Sequence, residues 1–361
     1  MPRIKDITIE RVDLELIRPY VIAFKEVNKV ENAIVSISLD NGVIGRGAAN
    51  PSEQVVGENL GQAITALERS YDGGESNWKG LVGRDIADLP ELCSEVQQYL
   101  AFSPTARTAL EVALYDCYGI WRKQPLVKLL NQQFDELPTS ITIGIMNVVD
   151  TLKEAEEYYE RGFKHLKVKL GNDLEEDIER IIKLKDRFGN SVKIRVDANQ
   201  GYTPSDTLRF YEETLTCNLE LIEQPLPADQ NEDMRRLPPD LRKVLAADES
   251  LIGPGDADIL IGDNPACGIF NIKLMKCGGI SQALEIAGKA EQNNLELMWG
   301  CNDESVISIS AALHTALACK ATRYLDLDGS LDLARDVAEG GFSIENGMMK
   351  VNNYPGLGLV D

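Results

Sequence analysis

The chain has 361 residues, 43% of them apolar, a length that suits a large barrel plus a smaller domain. Its net charge of −21 excludes the basic face that a phosphate backbone requires, so no nucleic-acid partner is expected and the charge reads as solubility. No apolar run is long enough for a membrane span, the N-terminus lacks a signal-peptide core, and seven scattered cysteines without a CxxC pair suit a reduced, cytoplasmic protein with no membrane partner.

In chain order, ITIERVDLEL, NAIVSISLDNG and VIGRGAA alternate apolar and polar residues as strands do, and Asn41-Gly42 between two of them marks a hairpin. From about Glu58 to Leu130 the spacing turns helical, most clearly in SPTARTALEVALYDCYGIWR with its Ser-Pro start. Residues 1–130 therefore predict an α+β domain with a three-stranded sheet. From Ser140 onward eight short strand-like runs alternate with helical stretches: ITIGI, HLKVKL, VKIRVD, LELIE, KVLAAD, IFNIK, LELMWG and RYLDL. Eight such units predict a parallel α/β barrel over residues 131–337. A doubly wound sheet is the alternative, but no GxGxxG follows a strand. Residues 338–361 are expected to return to the first domain.

Only two histidines are present, which excludes a three-histidine zinc site. His314 lies in the apolar helical stretch ISISAALHTALA and reads as packing, while His165 precedes a strand. Acid–base work then falls to Lys, Asp, Glu, Tyr or Cys. Such residues stand at the ends of the eight runs: Thr142, Lys169, Asp197, Glu223, Asp248, Lys273, Cys301 and Asp326, spaced 25 to 28 residues apart, the length of one βα unit. Barrel active sites are built from side chains at the carboxyl ends of the strands.

Asp197, Glu223 and Asp248 end three successive strands. One acid in such a place is usually a helix cap or a solvated residue. Three would repel unless a cation sat among them, and all-oxygen ligands suit Mg²⁺. Lys167 and Lys169 share one strand face. They read either as an edge strand protected by charge or as interior lysines, and the eightfold alternation argues against an edge. Lys273 lies four strands further round, so its ammonium would face that of Lys169 across a substrate. Like charge and a nearby cation would depress a lysine pKa and free a base. A lysine on the opposite face could return the proton and invert a carbon, with the metal stabilising an enediolate.

KVK (167–169), DANQG (197–201), EQP (223–225), DES (248–250) and IKLMKCGG (272–279), in that order, resemble the motif set of the muconate-lactonizing subgroup of the enolase superfamily, over nearly the whole chain. The resemblance implies a modified TIM barrel of (β/α)7β form with an N-terminal α+β capping domain over its mouth. It implies Lys169 and Lys273 as the acid/base pair, Lys167 on the substrate carboxylate, and one Mg²⁺ per subunit on Asp197, Glu223 and Asp248. A homo-oligomer is expected.

Within the subgroup, Asp326 and Asp328 of YLDLDG share a face. They read as a turn or cap on their own terms, and they resemble the DxD motif with which dipeptide epimerases hold a substrate α-ammonium. Thr142 and Cys301 match substrate-contact positions. The resemblance thus implies epimerisation at the C-terminal residue of an L,L-dipeptide. In the acidic-substrate members an Arg in a first-domain loop meets a Glu side chain. Here Lys25 stands near that place, whereas Asp303 and Glu53 would favour a cationic residue. Ala48 stands where relatives often carry Glu. Cycloisomerisation, o-succinylbenzoate synthesis and N-acylamino acid racemisation are alternative reactions of this scaffold, and a non-catalytic metal-binding barrel is an alternative of another kind.

Overall fold

The computed structural model describes residues 1–22, 25–68 and 80–360, and within them the side chains other than those of 19–22, 25–27 and 54. The chain opens with an antiparallel sheet of β1 (Ile4–Ile22), β2 (Lys25–Leu39) and β3 (Ile44–Ala49) in that order. The Asn-Gly turn joins β2 to β3, with Gly42 N donating to Leu39 O at 3.0 Å. Helices α1 (Glu53–Val56), α2 (Leu60–Glu68), α3 (Leu89–Tyr99), α4 (Pro104–Arg122) and α5 (Leu126–Leu129) follow. α4 starts on Pro104, whose missing N–H costs nothing at a first turn. The buried Glu58 carboxylate accepts from the hydroxyls of Ser103 and Thr105 there. Val35, Ile37, Leu110 and Leu114 are fully buried between sheet and helices.

After β4 (Leu137–Pro138) the strands are β5 (Ile141–Ile143), β6 (His165–Lys169), β7 (Lys193–Asp197), β8 (Leu221–Glu223), β9 (Leu245–Ala247), β10 (Ile269–Ile272), β11 (Glu296–Gly300) and β12 (Thr322–Asp326). They form one eight-stranded parallel sheet in sequence order. A bridge from Thr139 to Leu325 draws its two edges together, so the sheet is nearly a closed barrel. The returns run through α6 (Val148–Glu160), α7 (Leu174–Phe188), α8 (Pro204–Glu213), α9 (Asn231–Arg236) with α10 (Pro239–Val244), α11 (Pro254–Ile261), α12 (Leu274–Cys277) with α13 (Ile280–Gln292), and α14 (Val306–Ala316). β12 is followed by a 3-10 turn, Gly329–Asp332, and not by an eighth helix. That is the (β/α)7β pattern.

Strand alternation fills the barrel in layers. Leu221, Ala246, Ile269 and Met298, with Tyr324, form an apolar floor. One pleat higher on the same faces stand Glu223, Asp248, Asn271 and Asp326. The tail adds β13 (Glu339–Gly340), β14 (Phe342–Glu345), β15 (Met348–Val351) and β16 (Leu359–Val360). It reaches the first unit where Leu357 N donates to Asp116 of α4 at 2.8 Å. The β1–β2 hairpin extends over the barrel, Leu16 bridging Leu333 and Arg18 bonding Glu157 at 2.9 Å. Among the described residues no helix is long and apolar enough to cross a membrane.

Candidate active site

The strand ends converge at the carboxyl mouth of the barrel. Lys167 is buried, its Nζ 2.8 Å from Asp326 Oδ2, 2.8 Å from Glu223 Oε2 and 3.1 Å from Asp197 Oδ2. Lys169, two residues on and nearer the opening, places Nζ 2.7 Å from the same Asp197 oxygen and 3.1 Å from Asn199 Oδ1. Four strands away, Lys273 Nζ lies 2.9 Å from Asp248 Oδ2. Asp248 is also held by buried Lys276, whose Nζ bonds its carboxylate and its backbone O, the latter at 2.6 Å.

The three acids of β7, β8 and the end of β9 are fully buried but electrically unequal. Burial alone would raise Asp197, but Lys169 and Lys167 outweigh it and hold the carboxyl at about 2. Asp248 is held well below the usual carboxylate range because Lys273 and Lys276 overcome its burial. Glu223 is pushed up to about 8, by burial first and then by Asp197. Its Oε1 accepts from Asn271 Nδ2 at 2.7 Å. Its Oε2 takes no well-directed hydrogen bond, although Lys167 Nζ is close. A buried carboxyl whose ionised form is disfavoured by two neighbouring carboxylates, all hard oxygen donors, fits a small divalent cation such as Mg²⁺. Among the described residues no three His, Cys, Asp or Glu side chains stand grouped as a preformed metal shell, and Lys167 Nζ lies between Asp197 and Glu223.

The depressed pKa expected of a lysine base belongs to a site with a divalent cation beside it. Among the protein's own groups the carboxylates dominate. Burial does oppose the charge of Lys273, but Asp248 and Glu223 reverse it and leave the pKa raised. Lys167 is likewise raised well above the usual range by Asp326, Glu223 and Asp197 against burial.

Asp326 and Asp328 play different parts. Ser140 Oγ donates to Asp326 at 2.6 Å and Lys167 neutralises it. Asp328 accepts from Thr142 N at 2.7 Å and is pushed up to about 7 by burial and by Asp326. An ammonium reaching this corner would meet its charge most directly at Asp328. Cys301 Sγ bonds Asp326 O at 3.3 Å, and burial pushes its thiol up. Asp303 is half-buried beyond it. Near the rim, crowded protein around the Asp332 carboxyl, together with Asp303 and Glu154, raises it to about 6. The Lys25 side chain lies outside the described residues. Glu53 is exposed and bonds Asn59 at 3.1 Å. Ala48 is buried in the core cluster that includes Ile34 and Val112.

Residues 150–360 match the family model described as enolase C-terminal domain-like, and residues 5–131 match the mandelate racemase / muconate lactonizing enzyme N-terminal domain. The chain belongs to the enolase superfamily. It is 50% identical over 357 residues to an L-Lys-D/L-Arg epimerase of Desulforapulum autotrophicum, covering 99% of both chains. It is 33% identical over 360 residues to an L-Ala-D/L-Glu epimerase of Clostridium acetobutylicum, covering 99% of this chain and 98% of the other. The crystal structure of a dipeptide epimerase from Methylococcus capsulatus complexed with Mg and the dipeptide L-Arg-D-Lys matches with a TM-score of 0.95 at 49% identity, over 99% of this chain and 100% of that one.

This enolase-superfamily mouth also contains residues to which the sequence reading gave no role. Arg195 stacks over Tyr324 at 5.2 Å and bonds Ser140 Oγ at 3.2 Å and Glu220 at 2.9 Å, so it braces the seam between β5 and β12. Gln224 Oε1 accepts from Asp248 N at 2.9 Å and Ser250 Oγ at 2.7 Å, fixing the turn that carries Asp248. A usable signal existed: Arg195 and Asn271 stand two residues before Asp197 and Lys273, so strand alternation puts them on the same interior face.

Proposed function

We propose that the protein is a Mg²⁺-dependent dipeptide epimerase that inverts the α-carbon of the C-terminal residue of an L,L-dipeptide, with a preference for cationic residues. The observation that carries the reading is the pair of lysines at the ends of β6 and β10, each tied to one member of a carboxylate set at the ends of the strands between them. Asp197, Glu223 and Asp248 would hold the ion. When bound, Mg²⁺ supplies positive charge where negative charge grows on the substrate carboxylate.

The proton bookkeeping belongs to the chain. Neutral Lys169 takes the α-proton from one face, and the C–H electron pair spreads into the carboxylate. The Lys273 ammonium then delivers a proton to the other face, which inverts the centre. The reverse reaction exchanges the roles. Asp197 Oδ2 lies 2.7 Å from Lys169 Nζ, and Asp248 favours the charged form of Lys273. Where those carboxylates are engaged elsewhere, a lysine gives up its proton more readily. Lys167 stands beside the substrate carboxylate, and Asp328, with Asp326, receives the α-ammonium beside Thr142 and Cys301. Asp303, Asp332 and Glu154 outnumber the nearby Arg18 and Arg161 at the side-chain end of the mouth, which supports a cationic residue there. Seven free thiols favour a reducing, cytoplasmic setting.

The test is deuterium uptake at the α-carbon of dipeptides with acidic, apolar and cationic C-terminal residues, with Mg²⁺ in deuterated water. Fastest uptake and inversion of cationic dipeptides is expected. No uptake by any of them would sink the proposal, and preference for acidic residues would overturn its cationic part.

A further inference from the structure

Lys169 and Lys273 are supported by different parts of the molecule. The chain leaving Lys169 is held by the barrel itself. Gly171 N donates to Asp177 Oδ2 at 2.8 Å, Tyr202 OH donates to the same oxygen at 2.7 Å, and Arg180, paired with Asp177, reaches Lys169 O at 3.3 Å.

The chain leaving Lys273 is held by the capping unit. Lys273 is followed at once by α12, then Gly278-Gly279, then α13. Thr108 Oγ1 donates to Leu274 O at 2.8 Å. Arg107 donates to Cys277 O at 2.9 Å and to Gly278 O at 3.0 Å. Glu111 accepts from Ser281 N at 2.6 Å. Positions 107, 108 and 111 form one stripe of α4, and Thr108 and Glu111 are fully buried. The guanidinium therefore meets carbonyls ending α12, and the carboxylate meets an N–H opening α13, the charge order that helix termini favour.

The glycines are shaped to this contact. Gly278 and Gly279 have φ of +83° and +117°, and a Cβ on either would run into Arg107 or Glu111. The same short helix α12 carries Lys276, which locks Asp248, the ion-pair partner of Lys273. Asp248 is also fixed from the barrel, where Gln224 Oε1 accepts from its N–H at 2.9 Å, so a shift of α12 displaces Lys273 more than the carboxylate it pairs with.

We propose that Thr108, Arg107 and Glu111 are positioning residues for Lys273, so that docking of the capping unit governs proton transfer on the Lys273 face of the substrate and leaves the Lys169 face to the barrel. This rests on the two-lysine reading. A substrate whose α-proton faces Lys169 can still exchange it with solvent when Lys273 is misplaced, because Lys169 can return a deuteron to the face it deprotonated. Inversion, and exchange of the opposite epimer, require Lys273.

The experiment follows α-proton exchange of the two epimers of a cationic dipeptide separately, by NMR in deuterated water with Mg²⁺. Lys273→Ala identifies the epimer that depends on Lys273. Thr108→Val and Arg107→Lys, each checked for native melting, should slow exchange of that epimer and net inversion by about tenfold or more, since small misplacements of a reacting group cost that much. Exchange of the other epimer should stay within about twofold, and Arg180→Lys should give the mirror pattern. Equal losses for both epimers, or no loss for either in both folded variants, would overturn the proposal. Wild-type protein that exchanges neither epimer would instead remove the two-lysine reading on which it stands.

Discussion

Lys167 and Asp326, 159 residues apart in sequence, form a buried pair with Nζ 2.8 Å from Oδ2, while among the described residues Asp328 beside them has no such ion-pair partner. The two aspartates should therefore respond differently to neutralisation. Asp328→Asn should leave the fold intact and erase the advantage of a free-amine dipeptide over its N-acetyl analogue, by about 2 kcal/mol or more, roughly 30-fold in kcat/KM. Asp326→Asn should also destabilise the protein, because it leaves Lys167 short of a buried partner, a loss of about 3 kcal/mol in similar cases. Urea denaturation and a kinetic comparison of the two dipeptides check both. Unchanged discrimination in Asp328→Asn would refute the ammonium role.

Metal removal should abolish α-proton exchange, and Mg²⁺ should restore it. Since the ion would bind only the folded carboxylate set, saturating Mg²⁺ should raise the unfolding free energy by about 2.7 kcal/mol at a hundredfold excess over Kd. Glu223→Gln should lose that stabilisation in a melting titration, a readout independent of turnover.

Much of this site is legible in the sequence, because barrel geometry converts a repeat of one βα unit into shared position at the mouth. Lys169, Asp197, Glu223, Asp248 and Lys273 all stand at or just after strand ends in the structure. Asp248 follows β9 directly, although Lys243 and Val244, read from the sequence as strand, belong to α10. The supporting contacts were less visible. Lys276 sits three residues after Lys273, but nothing local shows that its ammonium turns back to Asp248. The clasp of α4 on α12 joins residues more than 160 positions apart, so no periodicity reports it. The ion-pair partner of Lys273 was not legible either, because the sequence gives the count of nearby charges and not which oxygen lies within 3 Å.

Asp303→Leu together with Asp332→Leu should shift preference from a cationic toward an apolar C-terminal residue. Each removes a carboxylate from the anionic end of the mouth. The loss for the cationic dipeptide should be at least tenfold in kcat/KM, about 1.4 kcal/mol. A variant that loses all dipeptides equally would speak against a specificity role.

His314 makes the fold acid-sensitive. Its Nδ1 accepts from Val127 N at 3.0 Å and its Nε2 faces Leu357 O at 3.2 Å, so the neutral ring fits between α5 and the tail. Burial lowers its pKa from 6.5 to about 4. Between those values the unfolded chain binds a proton that the native state refuses. The contribution of His314 to stability is therefore complete above pH 6.5 and is lost as pH drops toward 4, about 3 kcal/mol for a shift of this size. His314→Gln should flatten the slope of unfolding free energy between pH 7 and 5, and an unchanged slope would refute the assignment.

The most direct measurement of the central claim is epimer-resolved α-proton exchange in Lys169→Ala and Lys273→Ala, with a cationic dipeptide and Mg²⁺ in deuterated water. Both variants should lose inversion, and each should keep exchange of one epimer, the opposite one in the two proteins. Retained inversion in either variant, or loss of the same epimer in both, would contradict proton transfer between two lysines on opposite faces.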